Sequence, residues 1–332
     1  MTAIGDFRRR GDRSLDVEPG DRIGVCLDVD GTIYRSGSVF VETLGYLPFA
    51  TDLSIDDADE RRLRAALSAV AGYRGGRLAR VKWTGVFSIL GALSAYGGDD
   101  LPEAILARLI DRRSERSADG SGRALSRRNA PGDYWSMQRD VLAAYGGFLR
   151  GRDHRTVERA IEAVVADRCP IDPSIRDVLE EIAPAPETDL ALVTDMPAHV
   201  ATAYAEQLSG EVPVAATTYE IDADGRYTGR FETVGKNEAV ADLRAARDWS
   251  HVVAAGDSVA DLPMAEEADV FLAVAGQGNI AGHLDGRPSS EAAIDRAEPR
   301  AREPADVVRV APDERLAPVL RDVLPTVDRP NP

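Results

Sequence analysis

The chain has 332 residues and a formal net charge of −16, which argues against nucleic acid or an anionic membrane as its main partner. Hydrophobic residues make up 44% of the chain, which excludes intrinsic disorder, and two cysteines are too few for a disulfide framework. The first residues lack an apolar segment of the signal-peptide type, so we expect a cytoplasmic protein.

The first predicted element is a buried strand over 24–30, which ends in two carboxylates and runs into a turn. From about residue 54 to residue 168, apolar residues recur at steps of three and four, which is typical of amphipathic helices. Within the last part of this region, Gly146 and Gly147 indicate a helix end or a break. The predicted helices are 57–73, 81–96, 102–118, 134–149 and 153–168, followed by one that Asp172 and Pro173 open and that extends to about residue 183.

Strands and helices then alternate to the end of the chain. This alternation predicts an α/β fold with a doubly wound parallel sheet, covered by helices on both faces. Because the helical block follows the first strand, we predict a core of 1–35 and 170–332 and an inserted all-helical domain over 36–169. Residues 277–305 are predicted to be irregular. The strands are 190–195, 212–221, 229–233, 251–256, 270–275 and 307–311, and the helices are 198–208, 236–247, 262–268 and 316–324.

Lysine is rare in this chain. Only Lys82 and Lys236 are lysines among 40 basic residues, against 56 acidic ones. An acidic chain with few lysines is typical of proteins that work in concentrated salt, where a negative surface keeps the chain hydrated. We therefore predict salt adaptation, and a lysine at a particular position is more informative than usual.

Four short features fall at strand ends or at a helix start. They are Asp28-Val-Asp-Gly-Thr32, Val193-Thr194, Lys236 and Gly256-Asp257-Ser-Val-Ala-Asp261. In a doubly wound sheet the carboxyl ends of the strands face one crevice, so these side chains can meet. Neighbouring carboxylates repel one another unless cations intervene, and oxygen ligands favour Mg²⁺ as the second cation beside the lysine.

Asp28 and Asp30 lie two residues apart, and alternate residues of a strand share one side. A carboxylate nucleophile beside an acid–base group allows hydrolysis to proceed in two steps. The pair therefore supplies the two carboxyl groups that a two-step hydrolysis needs.

The sequence resembles a known family in these features. DVDGT at 28–32, LVTD at 192–195, Lys236 and GDSVADLPM at 256–264 resemble the four motifs of the haloacid dehalogenase (HAD) superfamily, specifically its phosphatases. DGRYTG at 224–229 resembles the phosphoserine-phosphatase-like branch. The resemblance covers about 21–32 and 172–275. It implies a HAD-like, Rossmannoid core, with the inserted helical block as the cap domain.

The resemblance also implies a role for each motif residue. Asp28 would be the nucleophile that forms an aspartyl-phosphate, and Asp30 would exchange protons with the leaving group and the hydrolytic water. Thr194 would hold a phosphoryl oxygen, and Lys236 would neutralise the nucleophile and the transferring group.

The implied metal is Mg²⁺. Asp28 and Asp257 would bind it directly, Asp30 would bind it through the backbone carbonyl, and Asp261 would be a further ligand or an anchor behind the ligands. The residues implied to bind substrate are Gly31, Thr32, Tyr34, Arg35 and Asp195.

We predict a Mg²⁺-dependent phosphatase of a small phosphorylated metabolite. Asp30 disfavours a dehalogenase, because displacement of halide needs no acid at that position. Ala260 and Gly37 depart from the phosphoserine branch, so the resemblance does not carry phosphoserine over as the substrate. Two alternatives stay open: phosphoryl transfer to an acceptor other than water, as in a phosphotransferase or phosphomutase, and a non-catalytic binding protein of the same fold.

Overall fold

The structure is a computed structural model. It describes residues 15, 17–34, 39, 43, 61–62, 131–182, 187–274, 280, 305–310 and 316–324. The predicted helices 57–73, 81–96 and 102–118 lie outside the described residues except for 61–62, which are helical. The predicted irregular stretch 277–305 also lies outside them, apart from its residues 280 and 305. The cap domain over 36–169 stays a prediction.

Seven strands of the described residues form one sheet. They are β1 (Ile23–Leu27), β2 (Thr188–Pro197), β3 (Val214–Ile221), β4 (Tyr227–Glu232), β5 (His251–Gly256), β6 (Val270–Val274) and β7 (Asp306–Val310). The spatial order is β4-β3-β2-β1-β5-β6-β7. All neighbouring strands pair in parallel except β3 and β4, which form an antiparallel hairpin at one edge. The predicted α/β fold is confirmed, and the chain reverses its winding direction beside β1.

Seven α-helices accompany the sheet in the described part of the chain. They are α1 (Pro131–Leu149), α2 (His154–Arg168), α3 (Pro173–Ile182), α4 (Ala198–Ala205), α5 (Lys236–Arg247), α6 (Leu262–Ala265) and α7 (Leu316–Val323), with a 3₁₀ turn at Val259–Asp261. None of the described helices has the length and apolar character needed to span a bilayer.

Apolar side chains of the sheet pack on both of its faces. Along β1, Val25 and Leu27 belong to one buried cluster, whereas Cys26 between them belongs to another. The same alternation appears in β5, where Val253 and Val252 lie in different clusters. Strands buried on both faces read as continuous apolar runs, which explains the pattern found in the sequence.

The glycine pair in α1 does not end the helix. The predicted break at Gly146 and Gly147 is wrong, because α1 continues to Leu149. Gly146 instead permits a close approach to the edge hairpin: a Cβ atom at this position would lie 2.5 Å from the backbone oxygen of Gly229. Glycine at this position therefore allows α1 to pack closely against the sheet.

Several predicted boundaries also need correction, among them the end of the helix expected over 198–208, which lies at Ala205. The first strand was expected over 24–30 but ends at Leu27, because the following residues form a tight turn in which Gly31 N donates to Tyr34 O at 2.8 Å. The helix expected over 262–268 ends at Ala265. The segment 24–30 carries Asp28 and Asp30, so β1 stops where the chain turns at the candidate site.

Candidate active site

The predicted motif residues gather at the carboxyl ends of three adjacent parallel strands. Asp28 follows β1, Thr194 lies near the end of β2, and Asp257 follows β5. The backbone N–H of Asp28 donates to Ala255 O at 3.0 Å, which ties the first motif to β5. Such a crevice, where the winding direction reverses, is the usual ligand position in this class of sheet.

Lys236 lies at the centre of the acidic side chains. Its Nζ atom is 3.0 Å from Asp28 Oδ1, 2.5 Å from Asp261 Oδ1 and 3.5 Å from Asp195 Oδ2, and its side chain is 3% exposed. Burial would lower the pKa of Lys236, but the three carboxylates reverse that effect and raise it well above its ordinary value. The lysine is therefore a buried ammonium. We call these four residues the acid–lysine cluster.

One ammonium does not balance the charge of this cluster. Burial raises the pKa of Asp28, and the neighbouring carboxylates add to that effect while Lys236 opposes it. Burial likewise raises the pKa of Asp195. A raised carboxyl pKa means that the negative charge is unfavourable at that position. A further cation would therefore stabilise the cluster.

The side chains fit a hard divalent cation. Asp28, Asp257 and Asp261 are buried and each offers a carboxylate oxygen within 4.8 Å of the others. Gly31 makes room for one of them, because a Cβ atom there would lie 2.1 Å from Asp257 Oδ2. Its φ of 86° also favours glycine. Oxygen-only donor sets of this kind suit Mg²⁺.

Asp261 is engaged through both carboxylate oxygens. Oδ1 accepts from Lys236, and Oδ2 accepts from the Ser258 N–H at 2.8 Å and the Ser258 hydroxyl at 3.0 Å. Ser258 in turn caps the 3₁₀ turn through Ala260 N. This arrangement favours the anchoring role over the ligand role that the sequence left open for Asp261.

The threonines of the motifs are buried near the acids. Thr194 is fully buried, and its hydroxyl accepts from Met196 N at 3.4 Å. Thr32 is also fully buried, and within the described part of the chain its hydroxyl has no hydrogen-bond partner. An unpaired buried hydroxyl is costly, so Thr32 is suited to bind a ligand oxygen.

The other sequence-predicted residues lie around this turn. Asp30 is partly buried and pairs with Tyr34 through a single backbone bridge, rather than extending β1 as expected. The position of Asp30 relative to Asp28 is therefore set by this turn, and not by the alternation of side chains along a strand. Tyr34 is 4% exposed and packs in the apolar core. Arg35 lies outside the described residues.

Gln138 affects the site, although the sequence did not indicate it. Burial raises the pKa of the Asp195 carboxyl, whereas the Gln138 side chain, on α1, lowers that pKa. Helical periodicity places Gln138 on the same face as Leu142 and Tyr145, four and seven residues later. That periodicity was visible in the sequence, but Asp195 lies 57 residues further along the chain, so its relation to Gln138 depends on the packing of α1 on the core.

A second polar cluster joins the same helix to the sheet. Tyr145 Oη lies 2.7 Å from His199 Nε2, and Tyr227 Oη lies 3.4 Å from His199 Nδ1. Tyr219 packs edge-on against Tyr145 and donates from its hydroxyl to Leu142 O at 2.9 Å. Burial lowers the pKa of His199 to about 3, so the imidazole is neutral at physiological pH. We call His199 and the three tyrosines the histidine–tyrosine cluster.

Several solved structures are similar to this chain at low sequence identity. The comparison with curated proteins gave no match. Among solved structures, the chain is similar to a protein of unknown function from Bordetella pertussis Tohama I, at 18% identity over 80% of this chain and 95% of that chain, with a TM-score of 0.41. It is also similar to a phospho-aspartyl intermediate analogue of phosphoserine phosphatase, at 13% identity over 91% and 99% of the two chains, with a TM-score of 0.45. It is similar as well to phosphoserine phosphatase from T. onnurineus, at 16% identity over 93% of this chain and 99% of that chain, with a TM-score of 0.38.

The sequence itself matches a family model. The model of the haloacid dehalogenase-like hydrolases matches residues 24–269, which is more than half of the chain. The matched range begins in β1 and ends just before β6, so it contains every element that contributes to the acid–lysine cluster. On that match, the chain belongs to the haloacid dehalogenase-like hydrolases.

Proposed function

We propose that this hydrolase is a Mg²⁺-dependent phosphatase that cleaves a small phosphorylated metabolite through an aspartyl-phosphate on Asp28. The observation that carries the proposal is the buried Lys236 ammonium, held 3.0 Å from Asp28 and 2.5 Å from Asp261. A buried cation beside a carboxylate nucleophile lowers the cost of bringing a phosphoryl group to that carboxylate.

In the first step, Asp28 attacks phosphorus and the bond to the leaving oxygen breaks. Asp30 gives a proton to that oxygen as the alcohol departs. In the second step, Asp30 takes a proton from water, whose oxygen attacks the phosphorus of the aspartyl-phosphate. Orthophosphate is released, and Asp28 returns to its carboxylate form.

The remaining residues would position the transferring group. Thr194 and Thr32 offer buried hydroxyls to phosphoryl oxygens, and the Gly31 turn keeps the backbone close to them. Lys236 would balance the charge of the phosphoryl group, and Asp261 would hold that lysine. Substrate contacts by Tyr34 and Arg35 remain predictions from the sequence.

The metal would be held by Asp28 and Asp257 together with the backbone carbonyl of Asp30. When bound, Mg²⁺ supplies positive charge that offsets the buried carboxylates and the phosphoryl oxygens. In this assignment Asp261 stays behind the metal, because its oxygens already accept from Lys236 and Ser258.

The test is hydrolysis of an aryl phosphate by the purified protein with MgCl₂, in molar KCl and in dilute buffer. We expect Asp28→Asn to reduce turnover by at least about 10³-fold, as is usual when a covalent nucleophile is removed. Asp242→Asn, an exposed aspartate on α5, is the matched control and keeps full activity. Acid-quenched wild type should carry a phosphoryl group by mass spectrometry, and Asp28→Asn should not.

Turnover that survives in Asp28→Asn contradicts the assigned nucleophile. Phosphate recovered on an added alcohol, in place of free orthophosphate, would replace hydrolysis by phosphotransfer. A protein that binds phosphate but turns over none of a metabolite panel would be a binding protein of the same fold.

A further inference from the structure

Ser258 follows β5 by two residues and contacts the Asp261 carboxylate through its hydroxyl. The hydroxyl oxygen accepts a hydrogen bond from Ala260 N at 3.2 Å and lies 3.0 Å from Asp261 Oδ2. Asp261 accepts from Lys236 as well, and an ionised carboxylate has no proton to give, so the hydroxyl donates its single proton to Asp261. The donor and the acceptor of this hydroxyl are therefore both assigned.

The cap of the 3₁₀ turn does not require that donation. In a capping box, the first side chain accepts from a backbone N–H inside the turn, and the side chain three residues later accepts from the first backbone N–H. Ser258 and Asp261 make both contacts, through Ala260 N and Ser258 N. The hydroxyl proton adds a third hydrogen bond, which joins the two side chains directly. This third contact is additional to the cap.

The Asp261 carboxylate is held with one oxygen towards each partner. Oδ2 accepts from the backbone N–H and the hydroxyl of Ser258, and Oδ1 accepts from Lys236 at 2.5 Å. A Cβ atom at Gly256 would lie 2.3 Å from Asp261 Cβ, so the Asp261 side chain packs directly against the end of β5. Rotation of the carboxylate would break all of these hydrogen bonds together. Ser258 therefore determines which oxygen faces the ammonium.

We propose that Ser258 is a positioning residue for the buried ammonium. Its hydroxyl orients Asp261, and Asp261 in turn holds Lys236 at the nucleophile. Lys236 Nζ donates to Asp28 Oδ1 at 3.0 Å, so the hydrogen bonds form one connected chain from the turn after β5 to that carboxylate. The inference rests on the proposed phosphatase function, because it gives Ser258 a part in placing the charge that stabilises the phosphoryl group.

The physical basis is the accuracy with which that charge must be placed. The ammonium stabilises negative charge on the transferring group, and this stabilisation depends on distance. A displacement of about 1 Å in an active site can lower a rate by about 10²-fold. Ser258→Ala keeps the backbone N–H that binds Asp261 Oδ2, so we expect a smaller loss of about tenfold in kcat, with KM changed by less than about threefold.

The kinetic test uses an aryl phosphate at saturating MgCl₂. Ser258→Ala and Ser258→Gly should both lose about tenfold in kcat, although glycine is much the better N-cap, whereas Ser258→Thr keeps the hydroxyl and should stay within about threefold of the wild type. In an Asp261→Asn background, Ser258→Ala should cost less than about twofold more, because the uncharged side chain no longer holds the ammonium. The matched control is Asp153→Ala, which removes the side-chain cap of α2 at Thr156 N and should keep full activity.

A second measurement needs no turnover. Lys82 and Lys236 are the only lysines of the sequence, so NMR of protein made with isotope-labelled lysine gives one side-chain signal for each, and Lys82→Arg identifies that of Lys236. Buried, hydrogen-bonded protons exchange slowly with water. Ser258→Ala should accelerate the exchange of the Lys236 ammonium protons by at least about threefold, since their acceptor is no longer held in place. Asp153→Ala should leave this exchange unchanged.

An unchanged kcat in Ser258→Ala would overturn the inference, as would a loss that more MgCl₂ restores, since Ser258 would then act through the neighbouring Asp257. Unchanged proton exchange at Lys236 would be equally contrary. If Ser258→Ala does not fold, Ser258→Gly decides by the same criteria. Faster exchange in Ser258→Ala, together with a wild type that shows no turnover, would support the positioning of Lys236 by Ser258 and contradict the phosphatase proposal.

Discussion

The two buried polar clusters, the acid–lysine cluster and the histidine–tyrosine cluster, are built on opposite principles. The acid–lysine cluster carries several formal charges that do not cancel, and one of its oxygens accepts no hydrogen bond within the described residues. The histidine–tyrosine cluster is neutral, and both ring nitrogens of His199 lie near tyrosine hydroxyls.

This difference indicates which cluster has a functional role and which has a structural one. Uncompensated buried charge lowers stability unless a ligand completes it, so its presence indicates a function. Paired neutral groups stabilise the packing of two elements and need no ligand. Residue type would have given the opposite assignment, because histidine is a frequent catalytic residue. Here the histidine holds α1 on the core, and the aspartates and lysine form the site.

Removal of Lys236 should have the largest effect. Lys236→Met leaves Asp28, Asp195 and Asp261 without their buried counter-charge, so we expect a loss of about 3–5 kcal/mol in the free energy of unfolding at pH 8. Aryl phosphate turnover should fall by at least about 10³-fold. Urea denaturation and the phosphatase assay measure the two effects.

The matched control is Arg247→Met on the same helix. Arg247 forms an exposed ion pair with Glu211 at 3.4 Å, and such pairs contribute less than about 1 kcal/mol. A Lys236→Met variant as stable as Arg247→Met would show that the acid–lysine cluster does not depend on its ammonium.

Metal binding should have the next largest effect and should distinguish the two clusters. Mg²⁺ at 100 times its dissociation constant should stabilise the wild type by about 2.7 kcal/mol over protein in EDTA. Asp257→Asn should lose most of this gain, because it removes one of the three buried carboxylates that converge. Thermal unfolding with MgCl₂ and with EDTA measures the effect. Tyr145→Phe serves as the control that keeps the gain, and equal stabilisation of Asp257→Asn would exclude the assigned metal site.

The histidine–tyrosine cluster should make the free energy of unfolding depend on pH. The folded pKa of His199 is about 3, below its ordinary value of 6.5, because burial disfavours the charged ring. Its contribution to stability is therefore complete above pH 6.5 and is lost as pH falls towards 3. The slope is up to about 1.4 kcal/mol per pH unit, since only the unfolded chain takes up the proton.

His199→Gln should remove this dependence and retain turnover. The difference in unfolding free energy between wild type and His199→Gln should therefore shrink from pH 7 to pH 5 in urea denaturation. A difference that stays constant over this range would mean that the ring is protonated as readily in the folded as in the unfolded protein.

Much of the fold was predictable from local patterns. The helix from Lys236 to Arg247 and the strand from His251 to Gly256 were predicted to the residue, because a cap or turn and an apolar period mark each end. The end of β1 was not, because Val29 continues the alternation that begins in the strand and the sequence marks a turn only at Gly31. The inserted cap, Arg35 and salt adaptation stay predictions.

Composition and order of elements in the sequence determined the α/β class and the set of residues that would meet, since parallel strands always bring their carboxyl ends to one edge of the sheet. Only the tertiary structure decided how those residues share their hydrogen bonds. That Lys236 donates to both Asp28 and Asp261, and lies 3.5 Å from Asp195, depends on the packing of strands and a helix that are far apart in the chain. Such contacts are decided by packing between elements far apart in the chain, which local periodicity does not encode.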